Sequence, residues 1–237
     1  MHIGFVVNPI AGIGGTVGLK GSDGVVEAAR TRGGTPRAPP RAVRFIDAAA
    51  PLLDAVQITT VGGAMGAEYL PVGAEATVCA TPPSPTDASD TTAAVRRFAD
   101  LGVDLIVFVG GDGTAVDVAS GIRGTEVPLL GVPAGVKIYS GVFASTPEAA
   151  AQIIDAGFDT VEAEVLDRPQ GSGRTPAPIE LQATARTPVA RAVQGAKRSV
   201  GGSVDGLIDA VVAEITTTQR PVSLGPGGTL GPVKAAL

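Results

Sequence analysis

Histidine, cysteine, tryptophan and asparagine are scarce in this chain of 237 residues. His2 is the only histidine, Cys79 is the only cysteine, and tryptophan is absent. One chain therefore has no disulfide, no Cys/His zinc site, and no Ser-His-Asp or Cys-His catalytic set. A metal bound by this chain must be held by oxygen atoms. Asn8 is the single asparagine, which excludes any site that needs an asparagine elsewhere.

Positive charge and long apolar runs are lacking as well. The net charge is −5 and only 3% of the residues are aromatic, so the chain offers neither a basic groove nor a stacking platform for nucleic acid. The strongest apolar run, residues 105–109, is far shorter than the roughly 20 residues that span a bilayer. His2 begins a strand-like run and no secretory signal precedes it. We therefore predict a cytoplasmic protein with neither a nucleic-acid nor a membrane partner.

The pattern of apolar residues predicts an α/β fold. Over the first two-thirds of the chain, short β-branched runs alternate with amphipathic stretches, which is typical of βαβ units and a doubly wound parallel sheet. The main predicted strands are 2–8, 56–61, 75–80, 103–109 and 127–132, and the predicted helices include 25–30, 41–55 (after a linker at 36–40) and 116–122. From residue 160 onwards, strands 161–166 and 179–185 have no helix between them. We predict an N-terminal α/β domain at 1–158 and a smaller, β-rich domain at 159–237.

The end of the chain falls inside a predicted helix that has no capping signal. We therefore expect a truncated sequence and an incomplete second domain. Missing strands would leave an apolar face and an unpaired sheet edge. That exposure favours self-association, so we predict a homo-oligomer.

The segment Gly110-Gly111-Asp112-Gly113-Thr114 carries the strongest chemical signal. It follows a buried strand and opens a helix, which is where open α/β sheets bind ligands. The glycines allow an anion to approach the backbone, the helix N-terminus attracts negative charge, and Asp112 can orient Mg²⁺ or accept a proton. This pattern predicts a phosphoryl-transfer site. The alternative is an ordinary glycine-rich turn in which Asp112 caps the helix.

A second glycine-rich loop follows the first strand and begins with Asn8-Pro9. Its glycines are Gly12, Gly14 and Gly15, and Lys20 lies shortly after them. The loop is suited to hold phosphate, although Lys20 is equally well explained as a solvated lysine of a turn. Val17 occupies the place of the third glycine in a dinucleotide fingerprint, which disfavours a hydride-transferring enzyme.

A third loop follows the strand at 127–132 and contains Gly135 and Lys137. The lysine could neutralise a phosphate, and it could equally be an exposed surface residue. Ser140 could line an acceptor pocket or cap the helix that follows.

These three loops resemble those of the ATP-NAD kinase family and its superfamily of diacylglycerol kinases, sphingosine kinases and phosphofructokinases. Residues 110–114 are the mark that this superfamily shares. Asn8-Pro9 with its glycines, and the segment 131–144, are similar to a prokaryotic branch of predicted ATP- or polyphosphate-dependent NAD kinases. That branch also contains acetoin-catabolism protein X. Asp167 resembles an acidic strand end of the same branch.

The resemblance implies a Mg²⁺-dependent kinase that transfers a phosphoryl group from ATP or polyphosphate to the 2′-hydroxyl of NAD, giving NADP. Asp112 would activate the acceptor hydroxyl or hold Mg²⁺. Nucleotide and phosphate would be bound by Asn8, Gly12, Gly14, Gly15, Lys20, Gly110, Gly111, Gly113, Thr114, Gly135, Lys137 and Ser140.

One departure from the family concerns the acceptor. NAD kinases bind NAD through an Asn-Glu pair in the second domain. This pair cannot exist here because Asn8 is the only asparagine. Two alternatives therefore stay open: a non-catalytic, nucleotide-binding regulatory protein, and a kinase for another small hydroxylated metabolite.

Overall fold

A parallel sheet of five strands organises the first part of the chain. The computed structural model describes residues 1–19, 21–22, 24–168, 178–189, 205–217, 222–223, 233–235 and 237. The strands are β1 (His2–Val7), β2 (Gln57–Val61), β3 (Ala76–Ala80), β4 (Leu105–Gly110) and β5 (Leu129–Pro133). Their order across the sheet is β3-β2-β1-β4-β5, and every neighbouring pair is parallel. The predicted α/β class with a parallel sheet is confirmed.

The position of β4 inside the sheet explains why its sequence is continuously apolar. It pairs with β1 on one side and β5 on the other, and all of its residues are buried. Leu105, Val107 and Val109 belong to the core on one face of the sheet. Ile106 and Phe108 belong to the core on the opposite face. A parallel strand covered on both faces needs apolar side chains at successive positions.

Helices cover both faces of this sheet. They are α2 (Ala38–Ala49), α3 (Ala88–Asp100), α4 (Asp112–Gly121) and α5 (Pro147–Ala156), and a short helix, α1 (Val26–Thr31), precedes them in the chain. Helices α2 and α5 contribute to the first core, and α3 and α4 contribute to the second. The arrangement is the doubly wound one that the sequence predicts.

Two helices, α2 and α4, have bounds that differ from the prediction by several residues. Helix α2 begins inside the stretch predicted as a linker, because Pro39 and Pro40 occupy its first turn, where a helix needs no N–H donor. It ends at Ala49 and gives way to a short 3-10 helix (Ala50–Ala55), since Pro51 has no N–H to continue the α-helical bonding. Helix α4 begins at Asp112, earlier than the predicted residue 116.

An antiparallel pair of strands follows α5. Strands β6 (Asp159–Asp167) and β7 (Glu180–Val189) pair with each other and form a separate sheet. Val165 is buried in the same core as α4, and Ala163, Ala183 and Ala185 pack against that core. The two strands predicted at 161–166 and 179–185 are confirmed, and residues 169–177 between them lie outside the described part of the chain.

The chain divides by compactness into two units, Met1–Arg198 and Ser199–Leu237. The first unit contains the parallel sheet and the β6–β7 pair, and the second contains α6 (Asp205–Thr217). The predicted domain boundary after residue 158 stays a prediction. Within the described ranges, no helix combines the length and the apolarity that crossing a membrane requires.

Candidate functional site

Three loops meet at one edge of the parallel sheet. They follow the carboxyl ends of β1, β4 and β5, which are neighbours in the sheet. The strand order reverses between β1 and β4, and a crevice at such a switch point is where open α/β sheets bind ligands. The structure thus brings together the three loops that the sequence singles out.

Asp112 connects two of these loops. It is the first residue of α4 and is only 6% exposed. Its Oδ1 accepts hydrogen bonds from the Tyr139 amide (3.1 Å), the Ser140 amide (2.9 Å) and the Ser140 hydroxyl (2.7 Å). Its Oδ2 accepts from the Tyr139 amide at 2.9 Å. One buried carboxylate therefore anchors the loop after β5 to the start of α4.

Burial raises the pKa of Asp112 above the usual range of an aspartate. The hydrogen bonds from Ser140 and Tyr139 act in the opposite direction, and the nearby charge of Asp167 raises the pKa further. The burial penalty prevails because a carboxylate loses favourable hydration when it leaves water. Asp167 ends β6, so the antiparallel strand pair contributes a second carboxylate to the electrostatics of this site.

Ser140 joins Asp112 to strand β6. It is 1% exposed, and its Oγ accepts a hydrogen bond from the Leu166 amide at 2.9 Å. The hydroxyl has one hydrogen, which it can donate to Asp112 Oδ1 or to the Leu166 carbonyl, 2.9 Å away. Ser140 does not cap the next helix, because Thr146 does so by accepting from the Ala149 amide. Its predicted contact with a phosphate stays a prediction.

Asn8 joins the loop after β1 to helix α4. Its Nδ2 donates to Thr114 Oγ1 at 2.9 Å, and its Oδ1 accepts from the Ile10 amide at 3.2 Å. Both polar atoms of the only asparagine thus have partners within the protein. Asn8 and Thr114, both predicted as site residues, are in direct contact.

Most of the glycines that were predicted to bind phosphate lie where the backbone packs closely against other residues. Gly12 has a φ of +82°, and a Cβ there would collide with the Ala134 carbonyl oxygen. A Cβ on Gly15 would lie 2.5 Å from Val136 Cγ2. The loop after β1 therefore packs against the loop after β5 without room for side chains. Gly14, Gly110 and Gly135 are similarly close-packed, against Gly21, Thr114 and Ile138 respectively.

The start of α4 is open by comparison. A Cβ on Gly113 would have no neighbour within 4 Å, and one on Gly111 would make only an ordinary contact with Gly135 at 3.7 Å. The first amide bonded along the helix is that of Ala115, which donates to the Gly111 carbonyl at 3.0 Å. Earlier amides in α4 lack helical partners, and together with the helix dipole they favour an anion.

Cations at this edge of the sheet include one that the sequence analysis missed. The Arg37 amide donates to the Ala11 carbonyl at 2.9 Å, and its Nη1 lies 3.4 Å from the Gly135 carbonyl oxygen. No local pattern marks Arg37, since it stands in the stretch predicted as a linker. Lys137 is exposed, and Lys20 lies outside the described residues.

Two further features border the three loops. The Arg168 guanidinium carbon lies 5.5 Å from the centre of the Tyr139 ring. A cavity of about 500 Å³ is lined by Asn8, Pro9 and Ile10 in the loop after β1, and by residues 86–89 and Thr91 at the start of α3. In the part of the chain that the structure describes, no group of three or more His, Cys, Asp and Glu side chains is placed to hold a metal ion.

The chain is similar to known proteins in part of its sequence and in its fold. The profile of the ATP-NAD kinase N-terminal domain matches residues 3–160. A crystal structure of a diacylglycerol kinase from Bacillus anthracis str. Sterne is 19% identical with a TM-score of 0.36, and the alignment covers 68% of this chain and 44% of that one. A candidate diacylglycerol kinase from the same strain is also 19% identical, with a TM-score of 0.37 and coverage of 68% and 43%. No curated protein matches the chain.

The match at residues 3–160 extends from β1 to the start of β6, so it includes all three loops of the site. The chain spans less than half the length of the solved structures that it resembles. The family match covers more than half of this chain. The chain therefore belongs to the ATP-NAD kinase family, through the N-terminal domain of that family.

Proposed function

We propose that this chain is a Mg²⁺-dependent phosphotransferase that moves a phosphoryl group from ATP or polyphosphate to the 2′-hydroxyl of NAD, giving NADP. Membership of the ATP-NAD kinase family points to a kinase-type phosphotransferase. The observation that carries the proposal is the buried Asp112 beside the open first turn of α4. A proton acceptor and an anion site are thus adjacent, and phosphoryl transfer to a hydroxyl requires both.

The residues of the site would divide the work as follows. The open amides around Gly113 would hold donor phosphates, since they lack helical partners and carry the positive end of the dipole. Asp112 would accept the proton of the acceptor hydroxyl through Oδ2, which has one donor and so keeps a free acceptor position. A raised pKa makes a carboxylate a better general base near neutral pH.

The residues present fit a magnesium ion. Mg²⁺ is commonly held by one or two carboxylates together with the phosphates of the substrate. Asp112 Oδ2 has a free position, and Asp167 is close enough for its charge to act on Asp112. Because one free position cannot take both a proton and a metal ion, Asp112 would either accept the proton or, together with Asp167, hold the ion. When bound, it would neutralise charge on the transferring phosphate.

One observation favours the second candidate, a nucleotide-binding regulatory protein without turnover. Four hydrogen bonds engage both oxygens of Asp112, and a carboxylate held in this way can serve the structure alone. A kinase for another hydroxylated metabolite is the further alternative, because the single Asn8 is engaged by Thr114 and Ile10. The cytoplasmic location and the homo-oligomer stay predictions.

A coupled assay tests the proposed function. Purified chain is incubated with NAD, Mg²⁺ and either ATP or polyphosphate, and NADP is detected with an NADP-specific dehydrogenase. We expect turnover that falls about 10²- to 10⁴-fold in Asp112→Asn, the range of a lost general base. Asp104→Asn is the matched control, because Asp104 lies at the opposite end of β4 and accepts only from the His2 amide among the hydrogen bonds described.

Three results would decide between the candidates. Turnover that Asp112→Asn abolishes and Asp104→Asn keeps supports the kinase. Calorimetric binding of ATP without NADP formation, from folded wild-type protein, supports the regulatory protein. Phosphorylation of a different hydroxyl compound, lost in Asp112→Asn, would keep the chemistry and replace NAD as the acceptor.

A further inference from the structure

We propose that Arg37 and Arg41 form a binding subsite for a linear phosphate chain, at the side of the three loops where α2 begins. The inference rests on the proposed function for the identity of the ligand, which would be the phosphate chain of the donor. It names two residues that the sequence motifs do not contain. Its test measures binding alone and needs no turnover.

The backbone places Arg37 directly on the loop after β1. The amides of Arg37 and Ala38 both donate to the Ala11 carbonyl, at 2.9 and 3.3 Å. The Arg37 side chain then passes over Gly12, where a Cβ would come within 2.9 Å of Arg37 Cβ and 3.1 Å of its Cγ. From there the guanidinium extends to the loop after β5. Arg37 therefore spans two of the three loops.

The Arg37 guanidinium has N–H donors that are available to bind a ligand. A guanidinium carries five N–H donors in a planar fork that matches phosphate oxygens. Its one hydrogen bond within the described residues goes to the Gly135 carbonyl and is long, at 3.4 Å. Among those residues it forms no ion pair. Gly135 in turn lies against Gly111, so this charge is held near the loop that precedes α4.

Arg41 places a second charge one turn further along α2. Burial lowers the pKa of Arg41 most, and the neighbouring charges of Arg37 and Arg44 lower it further, while the charge of Glu148 acts in the opposite direction. The carboxylate on this side, Glu148, is already bonded by Arg44, whose Nε and Nη2 lie 2.8 and 2.7 Å from Glu148 Oε1. Among the described residues, neither Arg37 nor Arg41 forms an ion pair, and the one carboxylate whose charge acts on Arg41 is the one that Arg44 binds. A bound anion would relieve the repulsion between Arg37 and Arg41.

The backbone N–H groups at the start of α2 do not supply the positive charge of this subsite. The Ala38 amide is taken by the Ala11 carbonyl, and Pro39 and Pro40 have no N–H. The positive charge at this place therefore comes from two side chains. Because Arg37 is the N-cap of α2 and Arg41 follows four residues later, about one helical turn along, the two side chains can contact successive groups of an extended anion.

Isothermal titration calorimetry with tripolyphosphate, in the absence of Mg²⁺, tests the subsite on the full chain. We expect Arg37→Gln and Arg41→Gln each to weaken binding about tenfold, as for the loss of a charged hydrogen bond. Arg44→Gln is the matched control on the same helix. We expect the affinity of this variant for tripolyphosphate to stay within about twofold of the wild type, since the Arg44 guanidinium is already paired with Glu148. Arg37→Lys should retain part of the affinity because it keeps the charge and loses the fork.

The outcomes separate this inference from the proposed function. Weaker binding of both tripolyphosphate and ATP by the two variants, with AMP binding unchanged, supports a phosphate-chain subsite. Absence of tripolyphosphate binding by the wild type, or an equal loss in Arg44→Gln, overturns it. If turnover is absent while tripolyphosphate still binds through these arginines, the proposed function fails and the subsite stands. Thermal melts of each variant ensure that only folded protein is compared.

Discussion

Replacing Ser140 with alanine should destabilise the protein strongly, because one buried hydroxyl serves two partners. Ser140→Ala removes the 2.7 Å bond to Asp112 Oδ1, a bond to a charged group worth about 1.5–3 kcal/mol. It also leaves the buried Leu166 amide without its acceptor at 2.9 Å, which costs a further 1–3 kcal/mol or so. The two losses share a site and partly overlap, so we expect the free energy of unfolding to fall by about 3 kcal/mol.

Thr60→Val is the matched control. Thr60 is fully buried, and its hydroxyl donates one bond, to the Phe5 carbonyl at 2.8 Å. Valine keeps its shape and loses one neutral hydrogen bond, worth about 1 kcal/mol. Urea denaturation followed by far-ultraviolet circular dichroism compares the two variants. Equal destabilisation by Ser140→Ala and Thr60→Val would refute the reasoning.

Amide hydrogen exchange gives a local test of the same prediction. The register of the β6–β7 pair shifts between Val165 and Leu166, at the point where the Leu166 amide turns to Ser140. In Ser140→Ala we expect the Leu166 amide to exchange faster than its neighbours in β6. Unchanged protection of that amide would show that the hydroxyl does not hold the strand.

Substitutions at Gly12, Asp112 and Thr146 test three other features of the structure. Gly12→Ala should cost more stability than Gly18→Ala, by roughly 1–3 kcal/mol in chemical denaturation, because both have positive φ and only the first meets the Ala134 carbonyl. Relative to Asp112→Asn, the wild type should lose stability as the pH rises above about 3.8. The reason is that a raised pKa of the Asp112 carboxyl makes the folded state hold the proton more tightly than the unfolded state does. A difference in urea midpoints between the two proteins that does not change with pH would contradict this. Thr146→Ala should lower stability by about 1 kcal/mol through the lost cap of α5, and an unchanged midpoint would show that this cap contributes nothing.

Much of the fold was predictable because its signals are local. The apolar run at β4 and the β-branched runs at β1, β2 and β3 mark strands whatever the rest of the chain does. The glycine-rich segments around Gly12 and Gly111 mark the loops after two of those strands. The start of α2 was missed because Pro39 and Pro40 indicate a linker just as well as a first helical turn.

The site was predictable only in part. Asp112, Asn8 and Thr114 stand in motifs that can be recognised without a structure. The hydrogen bonds of Asp112 with Tyr139 and Ser140 could not be predicted, because those two residues come from a different loop. No periodicity in the sequence connects residues that meet only through space.

The local sequence is enough to predict most of the strands and helices, and the loops that carry glycines and a carboxylate suited to phosphate. Those features depend on side-chain size, backbone freedom and periodicity along the chain. The bonds of Ser140 to Asp112 and Leu166, and the contact of Arg37 with Gly135, arise only in the folded chain. Such contacts depend on the order of strands in the sheet, which brings distant residues within the few ångströms over which hydrogen bonds act.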